Sequence, residues 1–266
     1  MKVFTKTNKW VVTIALVAFL ILSAGQDLHA QDSELSRYIF PSGIHAGFGF
    51  GFYSVKDQYI SKEKYSGALP MIYLGWARGH NNYFYKLNFE YRNADDIKNN
   101  NVQTNITQFT LGQGFLYPIQ KKTLNPQKLF LYLGPNTEIF YYENKPKIAV
   151  SGFDYARSNA LMFSVGISLE AIYSLSHKFQ IESSLDMTVI SLGVRSVDSE
   201  EDDQLQTKLL TMFSGLNSNF DLGIRYKFYR CFSTVVGYKF QLTSINAWDP
   251  LISASNNFFI GLTYKF

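Results

Sequence analysis

The sequence holds a single cysteine, Cys231, in 266 residues. That count excludes an internal disulfide and leaves no Cys/His spacing for a zinc site. Histidine is also scarce: beyond residue 30 there are only His45, His80 and His177. Long apolar runs are scarcer still. The one uncharged apolar run, residues 10–24, "WVVTIALVAFLILSA", falls short of the ~20 residues that carry a helix across a bilayer. A net charge of +4 without a basic stripe points away from nucleic acid. The glycines of "GFGFGF", residues 47–52, lack the spacing and the following helix of a phosphate-binding loop. No cofactor is expected.

What is present begins with a leader. Lys2, Lys6 and Lys9 precede the apolar run, and "LHA" ends at Ala30, the layout of a cleaved secretory signal peptide over 1–30. An uncleaved anchor is the alternative reading of the same run. Removing 1–30 takes away three lysines and Asp27, so 31–266 carries a net charge of about +2 by the same count.

Phe and Tyr are abundant, 23 and 18 residues, and they recur at every second position. Ten period-two segments are expected as strands: 44–55, 67–77, 82–92, 104–117, 128–142, 159–175, 178–193, 217–229, 231–243 and 256–266. In the first, Phe48, Phe50 and Phe52 face one side while Gly47, Gly49 and Gly51 face the other. Glycine has no packing use on a water-washed face, but it suits the crowded inside of a closed barrel. The phenylalanines then point into hydrocarbon, each burial contributing about 1.5–3 kcal/mol. Pro70 and Pro135 make the second and fifth segments the poorest strands.

The connections alternate in length. "RGHN", "SH" and "R" follow the second, sixth and eighth segments and a longer "IQKKTLNPQ" the fourth, whereas the still longer "KDQYISKEKYS", "NADDIKNNNVQ" and "ENKPKIAVSGFDYARS" follow odd ones. Short turns at one end and long loops at the other are the asymmetry of an outer-membrane barrel, with both termini in the periplasm.

The closing "FFIGLTYKF", an alternating strand ending on an aromatic, together with the leader and the ten segments, resembles the small outer-membrane β-barrel families of Gram-negative bacteria. The likeness is to porin-like or PorT-like barrel domains and covers 31–266. It implies an all-β, up-and-down antiparallel transmembrane barrel of about ten strands, placed in the outer membrane by the barrel-insertion machinery and bathed in lipid and lipopolysaccharide. It transfers no functional residue.

Two sets of residues remain as candidates for function. The inward phase carries Lys86, Glu90, Glu138, Glu170, Glu182, Asp186, Asp221, Arg225, Lys227, Lys239 and Lys265. So balanced a set inside a small barrel is expected to pair off and fill the lumen, with the strand-one glycines as a local gap. The other set follows the acidic "DSEEDD" of 198–203, which lacks the ligand spacing and glycine of a calcium loop. Leu205, Leu209, Met212, Phe213 and Leu216 there read as a short amphipathic helix, an interaction surface for an envelope partner, with Trp248 as a further anchor. All three histidines fall at the short-turn end, where no acid partner is placed for general-base work. The expectation is a non-enzymatic barrel with a structural or interaction role; the alternative is a small-solute channel.

Overall fold

The computed structural model describes residues 42–58, 60, 62–79, 83–99, 102–119, 129–147, 157–176, 178–198 and 204–266. The leader expected over 1–30, His80, His177 and most of "DSEEDD" lie outside the described residues. The described residues form twelve strands: β1 (Gly43–Asp57), β2 (Lys64–Ala68), β3 (Met71–Gly79), β4 (Phe84–Lys98), β5 (Gln103–Pro118), β6 (Leu129–Lys147), β7 (Arg157–Ser174), β8 (Phe179–Asp198), β9 (Gln204–Thr211), β10 (Gly215–Lys227), β11 (Phe232–Ile245) and β12 (Leu251–Lys265).

They make ten antiparallel staves. β2 and β3 form one stave, broken at Leu69–Pro70: β2 pairs the loop end of β1 and β3 pairs its turn end. β9 and β10 form another, both antiparallel to β8. β1 pairs β12 from Gly43↔Lys265 to Asp57↔Leu251, which closes the sheet on itself. Each of the ten expected segments therefore coincides with one stave. Following the register from Ser54 through Ala254, Leu242, Ser218, Met187, Ile167, Pro135, Tyr85 and Arg78 returns to the level of Ser42, a stagger of about twelve residues. Stagger of that size in ten staves corresponds to the 35–45° tilt of barrel strands.

The prolines are placed where a ladder tolerates them. Pro70 sits in the break between β2 and β3. Pro135 falls where β5 and β6 are unpaired, between Gly114↔Asn136 and Tyr117↔Leu133, so its missing N–H costs no bond there.

The exterior is an apolar band. Phe48, Phe50 and Phe52 of β1 are exposed, as are Leu74, Val165, Ile167, Leu222, Val236, Phe258, Ile260 and Leu262 around the wall. At the turn end an aromatic ring closes it: Trp76–Tyr85 at 5.4 Å, Phe179–Tyr226 at 4.8 Å and Phe232–Tyr264 at 5.2 Å between centroids. The stacked Phe109–Tyr141 pair, 5.2 Å apart, marks the loop-end margin. Aromatic girdles at both edges are what a wall spanning a bilayer presents.

Strands run further toward the loop end than the segments do. β4 extends to Lys98 and β6 to Lys147, through residues whose polarity reads as loop. There the alternation is inverted. Along β1, Ser54 and Lys56 follow Phe52 on the outside, while Tyr53 and Val55 are buried inside. Polar residues outside and apolar ones inside still make a strand, in water rather than lipid.

Candidate functional site: a layered lumen and an outer rim

The turn-end half of the lumen is charged. Lys86 on β4 reaches across to Asp186 on β8 at 3.3 Å and Glu170 on β7 at 3.6 Å. Lys239 on β11 pairs with Glu90 on β4 and lies 3.4 Å from Asp221. Arg225 donates to Glu182, with Nη2 2.8 Å from Oε2, and to the Thr263 hydroxyl at 2.6 Å. Ser168 and Ser184 donate to Asp186 and Asp221. Charges withdrawn from water persist only when paired in this way. Glu138 is held instead by the side-chain amides of Asn217 and Asn219.

Two residues of the expected set stand apart. Lys227 is exposed at the turn end, a correction that follows from its place at the last position of β10, where the lumen opens. Lys265 is half-buried at the same end. Conversely, the network recruits Arg92, which the segment reading passes over. It donates to Glu90 at 3.0 Å, to Ser255 at 3.0 Å and to Gln241. Arg92 follows Glu90 by two, so its inward phase was available in the sequence.

The strand-one glycines leave no gap. The Tyr73 ring lies against Gly47 and Gly261, in the space a Cβ would need, and meets Phe259 edge-on at 5.4 Å. Met71 occupies the corresponding place at Gly49. A cavity of about 170 Å³ remains beside these residues, lined by His45, Tyr73, Lys86, Glu170, Arg225 and Lys239 among others. His45 packs against Tyr73 and Gly75.

Toward the loop end the lumen turns apolar. Tyr53, Val55, Tyr65, Leu69, Ile97, Ile106, Phe140, Tyr142, Met162, Leu210, Ile245 and Leu251 form one buried cluster, drawn from nearly every stave. A pair of charges is embedded beside it. Arg195 on β8 lies 2.5 Å from Asp57 on β1, and Tyr142 donates to the same carboxylate at 3.3 Å. Both ionic residues lie beyond the ends of the sequence segments, which is why they were missed.

The rim around β9 departs from expectation. Residues 204–211 are a strand, not a helix. The spacing of Leu205, Leu209, Met212, Phe213 and Leu216 suits a helix, but the loop-end run of β8, Ile190–Val197, requires a ladder partner and takes this one. Leu210 turns inward and is fully buried, while Leu209 opposite Leu192 is 73% exposed and Phe213 in the following turn is 84% exposed. Met212 is exposed and Leu216 half-buried. Among the described residues β9 pairs only with β8. Trp248 is not a free anchor: it packs against the inner apolar cluster, under Lys208 at 5.6 Å.

Solved structures share this architecture. The outer membrane protease OmpT from Escherichia coli superposes with a TM-score of 0.51 at 9% identity, over 85% of this chain and 97% of that one. The translocator domain of the autotransporter NalP from Neisseria meningitidis gives 0.51 at 9% identity, over 99% of each chain. No family model matches the chain, and no curated protein matches its sequence. At such identities the likeness is one of fold: the chain is an all-β, antiparallel transmembrane barrel of the outer-membrane type.

Proposed function

We propose that this chain is an integral outer-membrane barrel, exported by its cleaved leader, whose lumen is closed to solutes and whose loop-end rim binds another envelope component. The observation carrying the interaction role is β9: among the described residues one of its edges has no strand partner, and Leu209 on it and Phe213 in the turn that follows are exposed at the margin of the apolar band. A free edge with adjacent apolar side chains suits strand addition by a partner protein. Closure of the lumen is supported by the cluster from Tyr53 to Leu251 stacked on the ion-paired layer. Ten staves lie near the limit at which side chains fill a barrel. The porin-like and PorT-like resemblance supports the membrane assignment and names no partner.

A non-catalytic role is supported by His45, which sits at the turn end against Tyr73 rather than at the rim. The alternative reading, a small-solute channel, draws on the cavity beside Lys86 and Arg225.

Photo-crosslinkers placed at Leu209 and Phe213 in living cells should capture one discrete envelope protein, and the same probe at Ile224 should capture none. Equal capture at all three sites would remove β9 as the interface. Purified protein in planar bilayers should give no ion steps; stable steps would move the assignment to the channel.

A further inference from the structure

The outward face just beyond the apolar band holds an arrangement that neither fold nor lumen explains. Lys56 on β1 stands directly opposite Lys64 on β2, and Lys98 on β4 stands opposite Ser66, one outward position along from Lys64. All three belong to the outward phase that contains Phe52 and Ala68. Like charges directly opposite on one sheet face repel. Among the described residues none of the three forms an ion pair. The nearby Asp96 accepts the Gln103 amide at 3.4 Å, and the Asp57 carboxylate faces the interior with Arg195. On β6 and β7, by contrast, Lys145 and Arg157 lie against Glu143. Among the described residues the three amines therefore have no carboxylate partner.

Its height identifies the kind of anion. Lys56 lies four residues beyond Phe52, the last phenylalanine of the band, which is about 10 Å along the barrel axis for a strand tilted as this one is. The polar zone of a leaflet begins at the edge of the hydrocarbon and is several Å deep. Lysine stems reach back toward it while their amines stay wet.

We propose that Lys56, Lys64 and Lys98 form a binding site for the phosphate groups of an anionic glycolipid in the surrounding leaflet. The inference rests on the membrane assignment above, but it concerns a different face from β9. A phosphate set between the three amines removes the repulsion between Lys56 and Lys64, and the acyl chains of the same molecule lie along Phe52 and Tyr91 below. The occupant is a lipid rather than an acidic protein loop because the patch is continuous with the apolar band and at headgroup depth.

The full chain, refolded into phosphatidylcholine vesicles with or without lipid A, provides the test. It should insert into both, bind lipid A, and unfold at a higher temperature when lipid A is present. Each lysine near an anionic surface is worth about fivefold in affinity, so K56Q/K64Q/K98Q should lose about a hundredfold. The arginine triple K56R/K64R/K98R should keep binding, as should K178Q/K227Q/R230Q, which removes as much charge from the turn end. Unchanged affinity in the first triple, or an equal loss in the turn-end control, would overturn the site. Equal protection by dephosphorylated lipid A or by inorganic phosphate would overturn the phosphorylated glycolipid as occupant. Failure to insert into either vesicle would instead bring down the membrane assignment on which the site rests.

Discussion

Two stretches of the same wall solve opposite problems. From Ile44 to Phe52, β1 puts apolar side chains outside and glycines inside; from Tyr53 to Asp57 it puts Ser54 and Lys56 outside and Tyr53 and Val55 inside. β6 does the same, with Leu133 outside and Glu138 inside in one stretch, then Glu143 and Lys145 outside and Phe140 and Tyr142 inside in the next. The β1–β12 and β6–β7 ladders pass through without interruption, because backbone pairing does not depend on which face is apolar. What changes is the solvent. In the band, hydrocarbon accepts the exterior and the interior holds paired charge; beyond it, water takes the exterior and the interior becomes an ordinary core.

That contrast can be attacked by mutation. The largest loss is expected where the core logic applies: Phe140→Ala, in the fully buried cluster, should destabilise by about 3–5 kcal/mol, read from urea unfolding of vesicle-inserted protein. A loss below 1 kcal/mol would mean that the cluster is loosely packed. Next comes Phe50→Arg on the band, at about 2–4 kcal/mol if Phe50 lies near the bilayer midplane. In a detergent that hydrates this surface the cost should shrink, and an undiminished cost would deny that lipid is its surroundings. The smallest effect belongs to Ser54→Arg, on the same face of the same strand four residues on, which should stay within about 0.5 kcal/mol. Equal costs for Phe50→Arg and Ser54→Arg would erase the boundary at Phe52.

The boundary also explains what could be read from the amino acids alone. The ten staves were legible, because within the band phenylalanine, leucine and tyrosine fall on one parity along most of them. Strand ends were not. Past Phe52 the outward residues turn polar and the inward ones apolar, so "KDQYISKEKYS" and "ENKPKIAV" look like loops although strand continues to Asp57 and Lys147. Asp57 and Arg195 were lost with those ends. Their pairing joins β1 to β8 across the barrel, and no local pattern announces a partner 138 positions away. The charged layer was more accessible, since Lys86, Glu90 and Arg225 sit on the parity opposite the aromatics. Arg92 shares that parity and needed only the same alternation carried one step past Glu90. β9 was mistaken because a run with apolar residues at adjacent positions, Leu209 with Leu210 and Met212 with Phe213, satisfies helical spacing. Only the vacant edge of β8 decides otherwise.

The join between β1 and β12 has a consequence for biogenesis. β1 and β12 are partners, from Gly43↔Lys265 onward, so the ring cannot shut until the residues of β12 have been made and have reached the site of assembly. Until then both terminal strands expose unsatisfied backbone along their length, an invitation to self-association, and contacts of such long sequence separation form slowly. A version ending before Leu251 would therefore be a permanently unfinished sheet, one that depends on an escort to stay soluble.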